Sequence, residues 1–316
     1  MSSRARIDVH HHFLPPAYAG WLRERGVHEA GGRALPEWSA GEALRVMDAH
    51  EIATAILSIS TPGVRLDPSE RGQAEARDWA RRVNDDAAEL RRAHPGRFGF
   101  FATLTLPDVE GALAEAARAL DELGASGVVL LANTHGRYLG DPADEPLLAE
   151  LDRRGAVVFV HPSTLPAPPV PGVPPFAADF LLDTTRAAFR LVQSGAMRRN
   201  RRLRVILSHA GGFVPYASHR LVVTLLGTAG GDPAAWLDDF RSFYFDTALS
   251  GSPAALPSLL VFAKPGHVLY GSDWPFAPAP AVSYFTSQLD AYAALDAAGH
   301  RSLDRDAALA LLGQEL

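Results

Sequence analysis

Ile7-Asp8-Val9-His10-His11-His12 lies almost at the start of the chain, and its reading decides the fold. Ile7 and Val9 alternate with Asp8 as in a short strand, and that strand runs directly into three histidines. Successive side chains of an extended segment point to opposite faces, so His10 and His12 share one face and His11 takes the other. Two such imidazoles at a strand end can ligate one metal ion from a single side. The competing reading is a chance histidine cluster at an unstructured terminus. The downstream sequence weighs against it.

The chain has 316 residues, 47% of them hydrophobic and 21% charged, which bounds it to one large α/β domain or two small ones. A formal charge of -6 argues against a nucleic-acid partner, and the Arg198–Arg204 cluster reads as a solvated turn before a strand. No apolar run reaches membrane-spanning length and the polar N-terminus has no signal-peptide pattern, so a cytoplasmic protein with no membrane partner is expected. Cysteine is absent, which removes disulfides, thiolate metal sites and Cys nucleophiles. Lys264 is the only lysine, so Schiff-base chemistry and carboxylated-lysine metal bridges have almost no candidate.

Working outward from the first strand, further strand-like runs fall at Thr54–Ser60, Arg97–Leu104, Gly127–Asn133, Ala156–His161, Leu203–His209, Phe243–Leu249 and Val268–Asp273. Helical patterns separate them, at Ala40–His50, Glu70–Ala93, Glu110–Leu123, Glu145–Arg154 and Ala178–Met197. Ala17–Trp38 reads as a long loop, Pro162–Pro175 as a Pro-rich loop, and helices from Val282 onward as the closing segment. Continuous apolar, β-branched runs suit a parallel sheet covered on its outer face. Eight βα repeats in this length predict a single (β/α)8 TIM barrel over residues 1–316. No Gly-x-Gly-x-x-Gly turn follows the first strand, which disfavours a dinucleotide-binding fold.

In a barrel the C-terminal strand ends converge on one rim. His10 and His12 end the first strand, His161 the fifth, His209 the sixth and Asp273 the eighth. Four imidazoles and one carboxylate on that rim match a catalytic metal site of the Zn type. A lone His at a strand end is usually structural; five such groups at the same end are hard to explain as packing.

At this point the sequence resembles the amidohydrolase superfamily, and within it the aminocarboxymuconate-semialdehyde decarboxylase-like branch. The residues that carry the likeness are His10–Pro15, His161-Pro162, Ser208–Gly212 and Gly271–Phe276, with Asp183-Thr184-Thr185 and Val192–Gly195 in support. Binuclear members bridge two metals with a carboxylated lysine. Strand four ends here in Asn133 and strand five in His161, so one metal ion is expected. The resemblance implies that His10, His12, His161 and Asp273 hold one divalent ion, Zn by preference and Mn as the other choice. It places His209 outside the ligand shell as a proton relay, with a fourth imidazole ligand as the alternative.

The resemblance also implies two arginines for a substrate carboxylate. Arg33 in the first loop matches one. Arg220, eleven residues after His209, matches the other, which a neighbouring subunit supplies in a homodimer. The loop holding Arg33 is shorter than in the semialdehyde decarboxylases, which favours a salicylate-type acid over a muconate-type one. Phe13, Trp274 and Phe276 flank the motifs and could line an aromatic pocket or simply pack. Asp246 could hydrogen-bond a ligand histidine or cap the following loop, and His11 is structural. The expected activity is a metal-dependent, non-oxidative decarboxylase (carboxy-lyase) acting on a small aromatic or unsaturated carboxylic acid. The rival is a hydrolase, a lactonase or amidohydrolase, on the same scaffold. A non-catalytic binding protein is disfavoured because every ligand position is intact.

Overall fold

Val157-Val158-Phe159-Val160-His161 shows how the sheet is built. Val157 and Phe159 join one buried cluster, Val158 and Val160 another, so the strand is apolar on both faces. The first cluster fills the barrel: Ile7, Val9, Ile56, Phe101, Val129, Ile206 and Leu269 point into it from other strands, and Ala307, Ala308 and Leu311 plug its base. The second lies between the strands and the surrounding helices. Each Val, Ile or Phe fully buried in this way contributes about 1.5–3 kcal/mol.

The computed structural model describes residues 4–313. Eight parallel strands form one sheet in chain order. They are β1 (Arg6–His12), β2 (Ile52–Ser58), β3 (Phe98–Thr103), β4 (Gly127–Leu131), β5 (Val157–His161), β6 (Arg204–Leu207), β7 (Tyr244–Asp246) and β8 (Val268–Leu269). Beyond β8 the chain rejoins β1: the N–H of Val9 donates to Tyr270 O (3.0 Å), that of Asp273 to His10 O (2.8 Å) and that of His12 to Trp274 O (2.7 Å). These bonds close the (β/α)8 barrel and bring the tip of the eighth strand against the histidine run.

Helices start where side chains can accept their free N–H groups. Ser39 caps Ala40–Ala49, Ser69 caps Glu70–Ala93 and Asp108 caps Val109–Asp121. Among the described residues no helix is long and apolar enough to cross a membrane.

Several expected boundaries move. The stretch read as a loop, 17–38, holds a helix, Pro16–Glu24, followed by a hairpin of Glu29–Ala30 with Arg33–Ala34. Pro16 favours the first helical turn, and Tyr18, Trp21 and Leu22 lie on one buried face, with Trp21 stacked on Trp79 at 4.9 Å. The helix after β5 runs Pro175–Gln193, and Gly195 at φ +75° separates it from a single turn at Ala196–Arg199. Closing helices begin at Ala279, not Val282. The seventh and eighth strands are shorter than expected, at Tyr244–Asp246 and Val268–Leu269.

Candidate metal centre

β1 carries a bulge at the decisive place. Asp8 pairs with Ala55 and His11 with Leu57, so three steps on β1 match two on β2. Ile7 and Val9 point into the barrel; unbroken alternation would send His11 there as well. The extra residue resets the phase and turns His10 and His12 inward. Asp8 and His11 are left on the other side, where Asp8 Oδ2 lies 2.9 Å from His11 Nδ1 and Trp274 packs on the His11 ring. His11 is structural, as expected. Asp8, which sequence reasoning passed over, braces the motif: it accepts from the N–H of His10 (3.1 Å), the N–H of Ser272 (3.0 Å) and the Ser272 hydroxyl (2.6 Å).

His10, His12, His161 and Asp273 are all buried, and one donor atom from each lies within 4.8 Å of the others. His10 Nε2 is 3.0 Å from His12 Nε2, and Asp273 Oδ1 is 3.3 and 3.2 Å from those two atoms. Ligands at about 2.0–2.1 Å from one ion are separated by roughly 3 Å, so the spacing suits a single metal ion. The far nitrogens are already engaged. His10 Nδ1 faces Asp246 Oδ2 at 2.8 Å, His12 Nδ1 faces the Ser58 carbonyl at 3.1 Å and His161 Nδ1 faces the Pro162 carbonyl at 2.8 Å. Each contact fixes a tautomer that turns Nε2 toward the shared point. Asp246 serves both roles open to it: its other oxygen accepts the N–H of His209 (2.9 Å) and of Ala248 (3.0 Å).

The charges fit the same reading. Burial, with neighbouring imidazoles, holds His161 well below the ordinary histidine value, and burial also lowers His12, so both stay neutral donors. For His10, burial works downward, but Asp246 and Asp273 outweigh it and push the pKa up to about 10. Burial would raise Asp273, yet His10, His12 and His209 hold its carboxyl well below the usual range. A cation between these groups would take over the role of the proton on His10.

Backbone strain marks the two residues at the heart of the site. His209 at φ +53° and Asp273 at φ +61° are non-glycine residues in the left-handed region. Two motif glycines have steric reasons. A Cβ at Gly271 would sit 2.9 Å from His10 Cβ, and one at Gly212 would collide with the Leu181 carbonyl. His209 Nε2 lies 3.6 Å from Asp273 Oδ2, on the oxygen turned away from His10 and His12, and its buried Nδ1 has no partner among the described residues.

A pocket opens over these groups, lined by His161, His209 and Asp273 together with Arg33, Phe276 and Phe180. Arg33 stands over the Phe176 ring at 4.4 Å, and the Phe276 ring is 5.4 Å from that of His12. Phe13 and Trp274 lie behind the wall: Phe13 packs on Trp38, and Trp274 on His11. Arg220 is exposed on the helix Val214–Ala229 and does not line its own chain's pocket. Ala30, Ser60, Phe176, Phe180 and Leu249 complete the walls and were not anticipated. Asp183 of the supporting motif accepts from Asn133 Nδ2 and Ser163 N, both at 2.8 Å, and so ties the wall helix to the ends of β4 and β5. Lys264 pairs with Asp238 at 2.7 Å, away from the centre.

A family model described as Amidohydrolase matches residues 7–314. The 6-methylsalicylic acid decarboxylase of Penicillium expansum is 39% identical over 324 residues, covering 97% of this chain and 96% of that protein. A structural-genomics protein described as amidohydrolase II superposes with a TM-score of 0.90 at 30% identity, covering 97% of this chain and 99% of its own. The 5-carboxyvanillate decarboxylase of Novosphingobium aromaticivorans, solved with manganese and 4-hydroxy-3-methoxy-5-nitrobenzoic acid, shares the fold. Its TM-score is 0.82 at 22% identity, covering 97% of this chain and 95% of its own. The chain belongs to the amidohydrolase family, in its decarboxylase-like branch.

Proposed function

We propose that this protein removes CO2, without redox chemistry, from a small aromatic acid of the salicylate type, using one divalent ion held by His10, His12, His161 and Asp273. The observation that carries the reading is the closed donor set with His209 facing the free side of Asp273. The near-full-length likeness to a 6-methylsalicylic acid decarboxylase favours this activity over a lactonase or amidohydrolase on the same scaffold. When bound, the ion supplies the positive charge that anchors the substrate's oxygens and offsets charge during the reaction.

The chain's own residues do the rest. Arg33 sits at the pocket wall, where its guanidinium can pair with an acid or phenol oxygen. Phe276, Phe180 and Phe176 offer ring faces and edges that hold one aromatic ring and keep water out. His209 delivers a proton to the ring carbon that bears the carboxylate. The C–H bond forms there, the C–C bond to the carboxylate breaks, and its electron pair restores the ring as CO2 leaves. Asp273 Oδ2 keeps the His209 ring turned toward the pocket.

The donor set of three imidazoles and a carboxylate favours Zn, and Mn is the second choice, since the similar carboxyvanillate enzyme was solved with manganese. Arg220 serves the pocket of a second copy, which makes the enzyme a homodimer. The same helix region exposes Tyr216 (84%) and Val223 (65%), apolar surface suited to such a contact.

The test is a panel of carboxyl-labelled aromatic and dienoic acids given to metal-loaded protein, with His209→Ala beside it. Labelled CO2 released from a salicylate-type acid and lost by about 10²-fold or more in the variant supports the reading. No release from any acid by protein with bound metal would sink it, and lactone hydrolysis would then be measured.

A further inference from the structure

The rim holds a second chamber that the reaction above does not use. It lies over the ends of β2, β3 and β4, and Ser60, Gly63, Arg65, Thr103, Leu131 and Thr134 are among its walls. Ser60 also lines the pocket over the metal centre, so the two spaces share a wall.

Arg65 is the anomaly there. It is only 7% exposed, yet its Nε and Nη1 are buried without a hydrogen-bond partner among the described residues. Its one bond runs from Nη2 to the Pro68 carbonyl at 3.0 Å. Its acidic neighbours act on it through charge alone, their hydrogen bonds going elsewhere: Asp108 to Arg77 at 2.5 and 2.8 Å, and Asp67 to Ser69 at 2.8 and 2.7 Å. Thr103, 5% exposed, adds a second unpartnered group, its buried Oγ1. A guanidinium taken out of water with most of its donors unpaired is costly, and buried polar groups in native proteins are almost always satisfied.

The chamber is also built to hold its shape. Tyr18 donates its hydroxyl to the Gly63 carbonyl at 2.7 Å, and the Thr61 and Ser163 hydroxyls meet at 3.2 Å, pinning the loop to the segment after β5. Gly63 lies at φ +72°, where a Cβ would come within 3.0 Å of Leu131 Cδ1.

We propose that Arg65 and Thr103 form a binding site for a small carboxylate-class anion, one wall away from the metal centre. The anion accepts from the free N–H groups of Arg65 and from the Thr103 hydroxyl, and the apolar walls keep it dry. It comes from one of two sources: a free anion such as acetate or bicarbonate, or the second carboxylate of a substrate reaching past Ser60.

Two measurements on the metal-loaded protein separate these sources. In the first, thermal unfolding is followed during titration with acetate and with bicarbonate at fixed ionic strength, for wild type, Arg65→Gln and the near-isosteric Thr103→Val. A free anion gives a saturable rise in Tm whose apparent affinity drops about tenfold or more in both variants. Anions at the metal centre would shift all three proteins alike. In the second, which alone rests on the proposed decarboxylase reading, turnover of an aromatic monoacid is compared with that of a diacid. A substrate arm raises KM for the diacid in both variants and leaves the monoacid unchanged. Identical anion responses in all three proteins together with unchanged diacid KM would overturn the proposal, as would ordered water alone against Arg65 in crystals soaked in acetate.

Discussion

Asp246 Oδ2 lies 2.8 Å from His10 Nδ1, with both side chains fully buried. Because Asp246 Oδ1 accepts the backbone N–H of His209 at 2.9 Å, one carboxylate at the end of β7 positions the His10 ring and the His209 backbone together.

Replacing Asp246 with Asn keeps the size of the side chain and removes the charge that orients His10. Metal affinity should fall about 10–100-fold, in line with losses of second partners to ligand histidines. Competition against a chelator of known affinity measures this, with circular dichroism confirming that the variant folds. Unchanged affinity would show that His10 needs no such anchor.

His10 gives metal binding a pH dependence of defined sign. Its pKa in the metal-free fold is raised to about 10, above the ordinary 6.5. The proton on His10 therefore stabilises the metal-free fold fully below about 6.5, and that contribution fades as pH rises toward about 10. Metal must displace the same proton, so apparent affinity should climb by about tenfold per pH unit across that window and then level off. Chelator-buffered Mn titrations between about pH 6.5 and 9 check the slope. A flat profile would contradict the His10–Asp246 assignment.

Arg220→Ala should change stability by less than about 0.5 kcal/mol, because the side chain is exposed on its own chain. Activity should nevertheless collapse if Arg220 serves a partner's pocket. Mixing Arg220→Ala with His209→Ala subunits should then recover about a quarter of wild-type turnover, since half of the dimers carry one intact site of two. No recovery from a mixture shown to exchange subunits would remove the shared-site reading, and a monomeric mass by sedimentation would remove the dimer.

Phe159 packs beneath the centre, its ring 4.9 Å from His10 and 5.5 Å from Phe101, with no exposure. Phe159→Ala should cost about 3–5 kcal/mol in urea unfolding of the metal-loaded protein. It should also loosen His10, so metal release should speed up in the same variant.

The barrel was legible because each strand is a short apolar run whose period is local, and the motif histidines and Asp273 sit at the ends of such runs. The helix Pro16–Glu24 within the expected first loop has a local signal in Pro16 and the spacing of Tyr18, Trp21 and Leu22, but its buried face exists only once Trp79 covers it. Of the aromatic candidates, Phe276 reaches the pocket while Phe13 and Trp274 turn into packing; adjacency to a motif does not specify the direction of a side chain.

By itself the sequence determined the apolar periodicity of the strands, the residue types gathered at their ends, the lack of thiolates and the near lack of lysines, and the pairing of His10 with His12 on one face. It could not determine which face that was. Ile7 and Val9 point into the barrel, so simple alternation assigns His11 to the interior, and only the bulge against Ala55 and Leu57 turns His10 and His12 inward. The same holds for Asp246 behind His10, for the pocket wall of Phe176, Phe180 and Leu249, and for the partly paired guanidinium of Arg65. Each depends on contacts between segments far apart in the chain, and such contacts exist only after the strands have closed into a ring.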